Sequence, residues 1–150
     1  VWMGFTMASL RHLRGTNIGT EKQAEIDSKA CEAAYSRIGN VNGLPGRTRG
    51  MLARYVNDMN NVVKEFGRVL KDDGRAIVVI GDCTIRGFYI KNSDAIVALA
   101  EAHSFVVTDF DKRPIEERRR YLPPPKRRLG DGAIHNRMRF ESIITFEKSA

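Results

Sequence analysis

Residues 52–82 read LARYVNDMNNVVKEFGRVLKDDGRAIVVIGD, and what this stretch becomes decides the fold. Apolar side chains recur at Leu52, Tyr55, Val56, Met59, Val62, Val63, Phe66, Val69 and Leu70. A spacing of three and four predicts a helix with one face on a core. Lys71-Asp72-Asp73-Gly74 stops it, with glycine to supply the left-handed residue that helix ends often need. Ala76-Ile77-Val78-Val79-Ile80 follows, a β-branched run closed by Gly81-Asp82. It does not alternate, so a strand covered on both faces is expected, as in a parallel sheet between layers of helix.

The flanking sequence supplies elements to lay against that strand. Upstream, Trp2 to Arg14 reads as helical, broken by Gly15-Thr16-Asn17, and a second, alanine-rich helix is expected from Glu21 to Ser36. Residues 39–50 hold four glycines and Pro45, a loop. Downstream, residues 83–90 read as an irregular link, and Ser93-Asp94 as the cap of a helix from Ala95 to His103. Strands are expected at Ser104–Phe110 and Arg139–Glu147, the latter with Ile143, Ile144 and Phe146 in the core. Arg113–Arg120 reads as a charged turn, and Tyr121-Leu122-Pro123-Pro124-Pro125 as extended. The order helix, strand, helix, strand, strand is that of one half of an open α/β sheet. A half sheet leaves an unpaired edge on its most apolar strand, which needs a cover.

With 150 residues, 42% of them hydrophobic, the chain fits one core. The expected organisation is a single partial domain. Residues 1–50 form a helical segment and glycine-rich loop, and residues 51–150 a half sheet carrying a basic loop at 112–139. Two cysteines are too few for a disulfide framework or a zinc site, so a reducing, cytoplasmic setting is expected. The apolar opening, Val1 to Phe5, lacks a basic flank and falls far short of the ~20 residues that span a bilayer. A first residue other than methionine is what a fragment of a longer protein would show.

The net charge of +7 is unevenly placed. Residues 112–139 hold ten basic and three acidic side chains, and the rest of the chain is balanced. Such a segment is either a solvated loop or a contact for a phosphate backbone. Arg118, Arg119, Arg120, Lys126, Arg127 and Arg128 are the candidates for phosphate contacts. Tyr121 offers a stacking platform for a base or a ring that packs the prolines. Arg137 pairs with Glu141 or reaches nucleic acid. At the carboxyl end of the main strand, Asp82, Arg86 and Gly87 face the place where open α/β sheets bind ligands. Asp82 either accepts from a ligand or caps local backbone, and Arg86 holds a phosphate or a surface ion pair. Histidines 12, 103 and 135 lack metal-ligand spacing. His103 at a helix end is explained by the favourable site for a cation there. Cys83 has no histidine nearby in sequence and reads as a small buried filler.

Several stretches together resemble the site-specific DNA methyltransferases that modify amino nitrogens, adenine N6 or cytosine N4, with S-adenosylmethionine. They are Trp2-Met3-Gly4 through Leu10-Arg11-His12-Leu13-Arg14 with Ile18-Gly19-Thr20-Glu21; Val69-Leu70-Lys71-Asp72-Asp73-Gly74-Arg75; Val79-Ile80-Gly81-Asp82 with Ile85-Arg86-Gly87; Arg120-Tyr121-Leu122-Pro123-Pro124-Pro125; and Arg137-Met138 with Glu141. The resemblance implies the C-terminal half of a Rossmann-like sheet, its last strand antiparallel. It also implies S-adenosylmethionine as cofactor and DNA as partner, with RNA as the alternative substrate. A non-enzymatic nucleic-acid-binding module on the same fold is the third possibility. The family's glycine-rich cofactor turn and its catalytic Asp-Pro-Pro-Tyr do not occur in this sequence. The resemblance therefore implies that a missing N-terminal half carries both, and that no catalytic residue lies in this chain, which alone is inactive. No metal is expected.

Overall fold

A computed structural model describes residues 4–20, 22–116 and 139–149. The architecture is mixed α/β. Four helices are described: α1 (Met7–Thr16), α2 (Lys29–Arg37), α3 (Gly46–Val69) and α4 (Asn92–Ala102). Five strands accompany them: β1 (Arg75–Ile80), β2 (Cys83–Ile85), β3 (Phe88–Ile90), β4 (Phe105–Pro114) and β5 (Phe140–Lys148).

The last strand is the middle one. The sheet order is β1-β5-β4, and β5 runs antiparallel to both neighbours, so β1 and β4 are parallel to each other. The β1–β5 register places Ala76 opposite Phe146 and Val78 opposite Ile144. These four side chains share the inner face, where Ile144 and Phe146 are fully buried. Helices α3 and α4 cover that face, and α2 packs against both. Val56 and Val63 of α3, Ile96 and Leu99 of α4, and Cys31 and Ala34 of α2 complete the core. The Phe146 ring lies edge-on to Phe105, centroids 5.0 Å apart, and 6.2 Å from Phe66.

The stripe from Leu52 to Phe66 forms α3 as its spacing predicts, but the strand after it departs from expectation. Burial alternates along β1, leaving Ile77 and Val79 64% and 53% exposed. Only its inner face is covered, because no helix among the described residues lies on the other side of the sheet. The turn before β1 is also built differently. Asp73, not Gly74, takes the left-handed conformation (φ 61°), which a short polar side chain tolerates. Gly74 is required for close approach instead, since a Cβ there would sit 2.6 Å from the Lys71 carbonyl oxygen.

Other expectations need correction. Helix α2 begins only at Lys29, capped by Ser28, whose hydroxyl accepts from the Cys31 amide. Upstream of it the backbone is held in a non-helical path: the Ala24 amide donates to the Gly50 carbonyl, and the Asn57 carboxamide donates to that of Glu25. The segment 83–90 is not irregular but a two-stranded hairpin of β2 and β3. Strand β4 runs on through Arg113 and Pro114, which were expected in a turn. Glu141 pairs with Arg113 across the β4–β5 ladder, 2.6 Å apart, and the expected partner Arg137 lies outside the described residues. His103 is not a favoured cation: burial, followed by the nearby Lys64 ammonium, lowers its pKa, and its ring nitrogen is bonded to Asn60 at 2.7 Å. Residues 46–50 of the expected glycine-rich loop belong to α3, while Val41 and Leu44 of the remainder are buried. No helix among the described residues is long and apolar enough to cross a membrane.

Candidate functional site

Strand β1 delivers Ile80, Gly81 and Asp82 to its carboxyl end, where the hairpin and the start of α4 meet the first turns of α3. Asp82 organises this junction. One carboxylate oxygen accepts from both the amide and the hydroxyl of Ser93, each at 2.9 Å, and the other accepts from the Tyr89 hydroxyl at 3.0 Å. The carboxylate thus caps α4 from eleven residues away and faces the positive end of that helix. Ser93-Asp94 does not cap α4; Ser93 lies inside its first turn. Burial, reinforced by the bond to Asp82, raises the Tyr89 phenol to about 12, so it remains a donor.

The capping role makes a testable statement. Asp82→Ala is expected to cost about 1–2 kcal/mol by removing the bonds into α4. Asp82→Asn, which keeps an acceptor, should cost less. Urea denaturation at pH 7 reads both, and an unchanged midpoint for the alanine variant would exclude the cap.

Asn92, the first residue of α4, reaches back. Its carboxamide donates to the Gly81 carbonyl at 2.9 Å and approaches the Cys83 sulfur at 3.7 Å. The thiol is half-buried, and that burial raises its pKa, which fits a packing residue better than a nucleophile.

Arg86 and Gly87 form the two-residue turn of the hairpin, with φ of 51° and 87°. Both central residues are left-handed, the signature of a type I′ turn, where asparagine or glycine is the usual first residue. An arginine held there costs about 1 kcal/mol of backbone strain. Its guanidinium forms no ion pair among the described residues.

A cavity of about 670 Å³ opens between α3 and this junction. Leu52, Tyr55, Ile80 and Ile85 give it an apolar wall; Arg47 and Arg86 supply the cations. Gly19 and Thr20, from the turn after α1, close another side. None of the described lining residues is a carboxylate. The Tyr55 hydroxyl has no hydrogen-bond partner among the described residues. Its pKa is pushed up to about 12, chiefly by burial and then by the nearby Cys83 and Asp82, so it is protonated at neutral pH.

The structure therefore brings Asp82, Arg86 and Gly87 to one junction but divides their roles. Asp82 is committed to structure, Gly87 to the turn, and Arg86 alone borders the cavity. Arg47, Tyr55 and Asn92 escaped sequence reasoning. Tyr55 falls within the apolar stripe of α3 and reads as core, and nothing local marks Asn92. Arg118, Arg119, Arg120, Tyr121, Lys126, Arg127, Arg128 and Arg137 lie outside the described residues. No cluster of three or more metal-ligating side chains occurs among the described residues. Comparison with family models, curated proteins and solved structures finds no match to this chain.

Proposed function

We propose that this chain is the C-terminal part of an S-adenosylmethionine-dependent DNA methyltransferase acting on an exocyclic amino group of adenine or cytosine. The half sheet would then belong to a Rossmann-like methyltransferase sheet. The observation that carries this reading is the arrangement of β1. Among the described residues it is an edge strand, parallel to β4 across a reversed last strand, with Ile77 and Val79 exposed on its outer face. An open edge and a bare apolar face on one strand are what remains when a sheet is cut through its middle. The exposed Phe5, Met7, Leu10 and Leu13 on and beside α1 present further apolar surface of the same kind. The sequence resemblance supplies the choice of chemistry, and the basic segment at 112–139 suits a duplex.

The residues present do not fit the cofactor. S-adenosylmethionine carries a sulfonium cation, whereas the described residues lining the cavity include two arginines and no carboxylate. Asp82, between Gly81 and Cys83 of the lining, has both oxygens engaged. Cofactor binding and methyl transfer are thus assigned to a preceding part of the polypeptide, and this chain to shaping and charging the substrate side.

The test joins this chain in frame to the sequence encoded upstream and measures transfer of a labelled methyl group to duplex DNA. Transfer by the longer protein, and none by this chain, is expected. Transfer to structured RNA in preference to DNA at matched salt would replace the substrate. No transfer to either, with salt-dependent binding retained, would favour a non-enzymatic binding module. That second reading draws on the missing glycine-rich turn and Asp-Pro-Pro-Tyr.

A further inference from the structure

We propose that the cavity beside the carboxyl end of β1 is a binding site for a single nucleotide: a flat aromatic base carrying a phosphate. Four observations converge on that chemistry. The volume of about 670 Å³ lies within the range of small-molecule sites, which are mostly apolar with a few placed polar groups. The wall formed by Leu52, Ile80 and Ile85 offers flat apolar contact to a ring. Tyr55 and Asn92 also line the cavity, and each carries a polar atom with no partner among the described residues. The Tyr55 hydroxyl is a donor, and the carboxamide oxygen of Asn92 is an acceptor whose amide group is fixed by its bond to the Gly81 carbonyl. One donor and one acceptor on an apolar wall match the edge of a nucleobase, which presents ring nitrogens and exocyclic groups of both kinds.

Charge selects the other end of the ligand. Arg47 stands in the first turn of α3, a helix with no acidic residue in that turn and no side-chain cap. Arg86 stands across the cavity in a strained turn. Arg86 forms no ion pair among the described residues and none of the described lining residues is a carboxylate, so an anion is favoured beside it and a cationic ligand disfavoured. The turn chemistry points the same way. Asparagine at position 86 would satisfy the type I′ turn without strain. An arginine held there instead, without an ion pair, is placed for something outside the fold. Where the nucleotide comes from rests on the proposed function above; the chemistry of the cavity does not.

The test titrates the full chain with deoxyadenosine 5′-monophosphate, deoxyadenosine, inorganic phosphate, a short single-stranded oligonucleotide and S-adenosylmethionine. The readout is the methyl resonances of Met51, Ile80 and Ile85. Saturable shifts there with the monophosphate are expected, stronger than with the nucleoside or with phosphate alone. Arg86→Asn should weaken the monophosphate about tenfold and leave the nucleoside unchanged. The same variant should be at least as stable as the parent, because it relieves the turn, so lost binding cannot be ascribed to unfolding. Tyr55→Phe should weaken both ligands about fivefold. Shifts with the free monophosphate assign a mononucleotide; shifts only with the oligonucleotide assign a nucleotide within a strand. Phosphate binding as well as the nucleotide, S-adenosylmethionine binding in its place, or no shift at these three residues overturns the site. Methyl transfer by the longer protein is measured separately, so either idea can fail alone.

Discussion

Replacing Phe146 by alanine will remove about 3–5 kcal/mol of folding free energy, the largest loss expected from any single side chain in this structure. Phe146 has no solvent exposure and sits on β5, the strand flanked on both sides. It pairs with Ala76 of β1 and Val107 of β4, and its ring joins those of Phe66 from α3 and Phe105 from β4. One residue thus ties three strands to a helix, and its removal leaves a cavity that none of the partners can fill without breaking register. Domains of this size are stable by only about 5–15 kcal/mol, so the variant should unfold at low denaturant or fail to fold cooperatively. Phe146→Leu, which keeps much of the volume, should cost less than about 2 kcal/mol. Phe140→Ala, at the 53% exposed start of the same strand, should change stability by less than about 0.5 kcal/mol. Guanidinium denaturation followed by circular dichroism checks all three. A loss below about 1 kcal/mol for Phe146→Ala would mean the register is wrong, because a slip of one residue turns this side chain to the outer face.

The parts of this fold that were legible in sequence are those whose partners lie close along the chain. The α3 stripe and the β-branched runs of β1, β4 and β5 announce themselves by periodicity and residue type. The hairpin was hidden because its turn carries arginine where asparagine or glycine is expected, and Arg-Gly does not read as a turn signal. The start of α2 is not legible because alanine-rich sequence permits helix from residue 21. What holds residues 24 and 25 out of a helix are bonds to Gly50 and Asn57, far away in sequence. The same distinction separates the site residues. Asp82 stands out in sequence by its position after a strand, yet its role depends on Ser93 and Tyr89 meeting it in space. Tyr55 was hidden because a tyrosine in an apolar stripe is indistinguishable from core until the space beside its hydroxyl is seen. The expected burial of both faces of β1 is the instructive case. Its composition is that of a strand covered twice, and the described residues cover it once.

That discrepancy yields the second large effect. Substituting lysine at both Ile77 and Val79 should leave this chain folded as before and more soluble, yet, if the proposed function holds, abolish methyl transfer by the longer protein. In the chain alone the two side chains are more than half exposed, so each substitution should move stability by no more than about 0.5 kcal/mol. Lysine on an exposed edge strand also discourages edge-to-edge pairing, which is the aggregation route open to β1. If a preceding segment extends the sheet beyond β1 and lays helices on its outer face, the same two ammonium groups become buried. Each unpaired buried charge then costs several kcal/mol, and the two together exceed the stability of most domains. The expected result is therefore opposite in the two settings: a folded, less aggregating chain, and a longer protein that neither folds cooperatively nor transfers methyl groups. Ile77→Val with Val79→Ile, which keeps the face apolar, should preserve both. Urea midpoints for the chain and labelled-methyl transfer for the longer protein provide the two readouts. Full activity with both lysines in place would show that this face meets water in the complete protein. The bare strand would then be an ordinary surface, and the half-sheet reading would lose the observation that carries it.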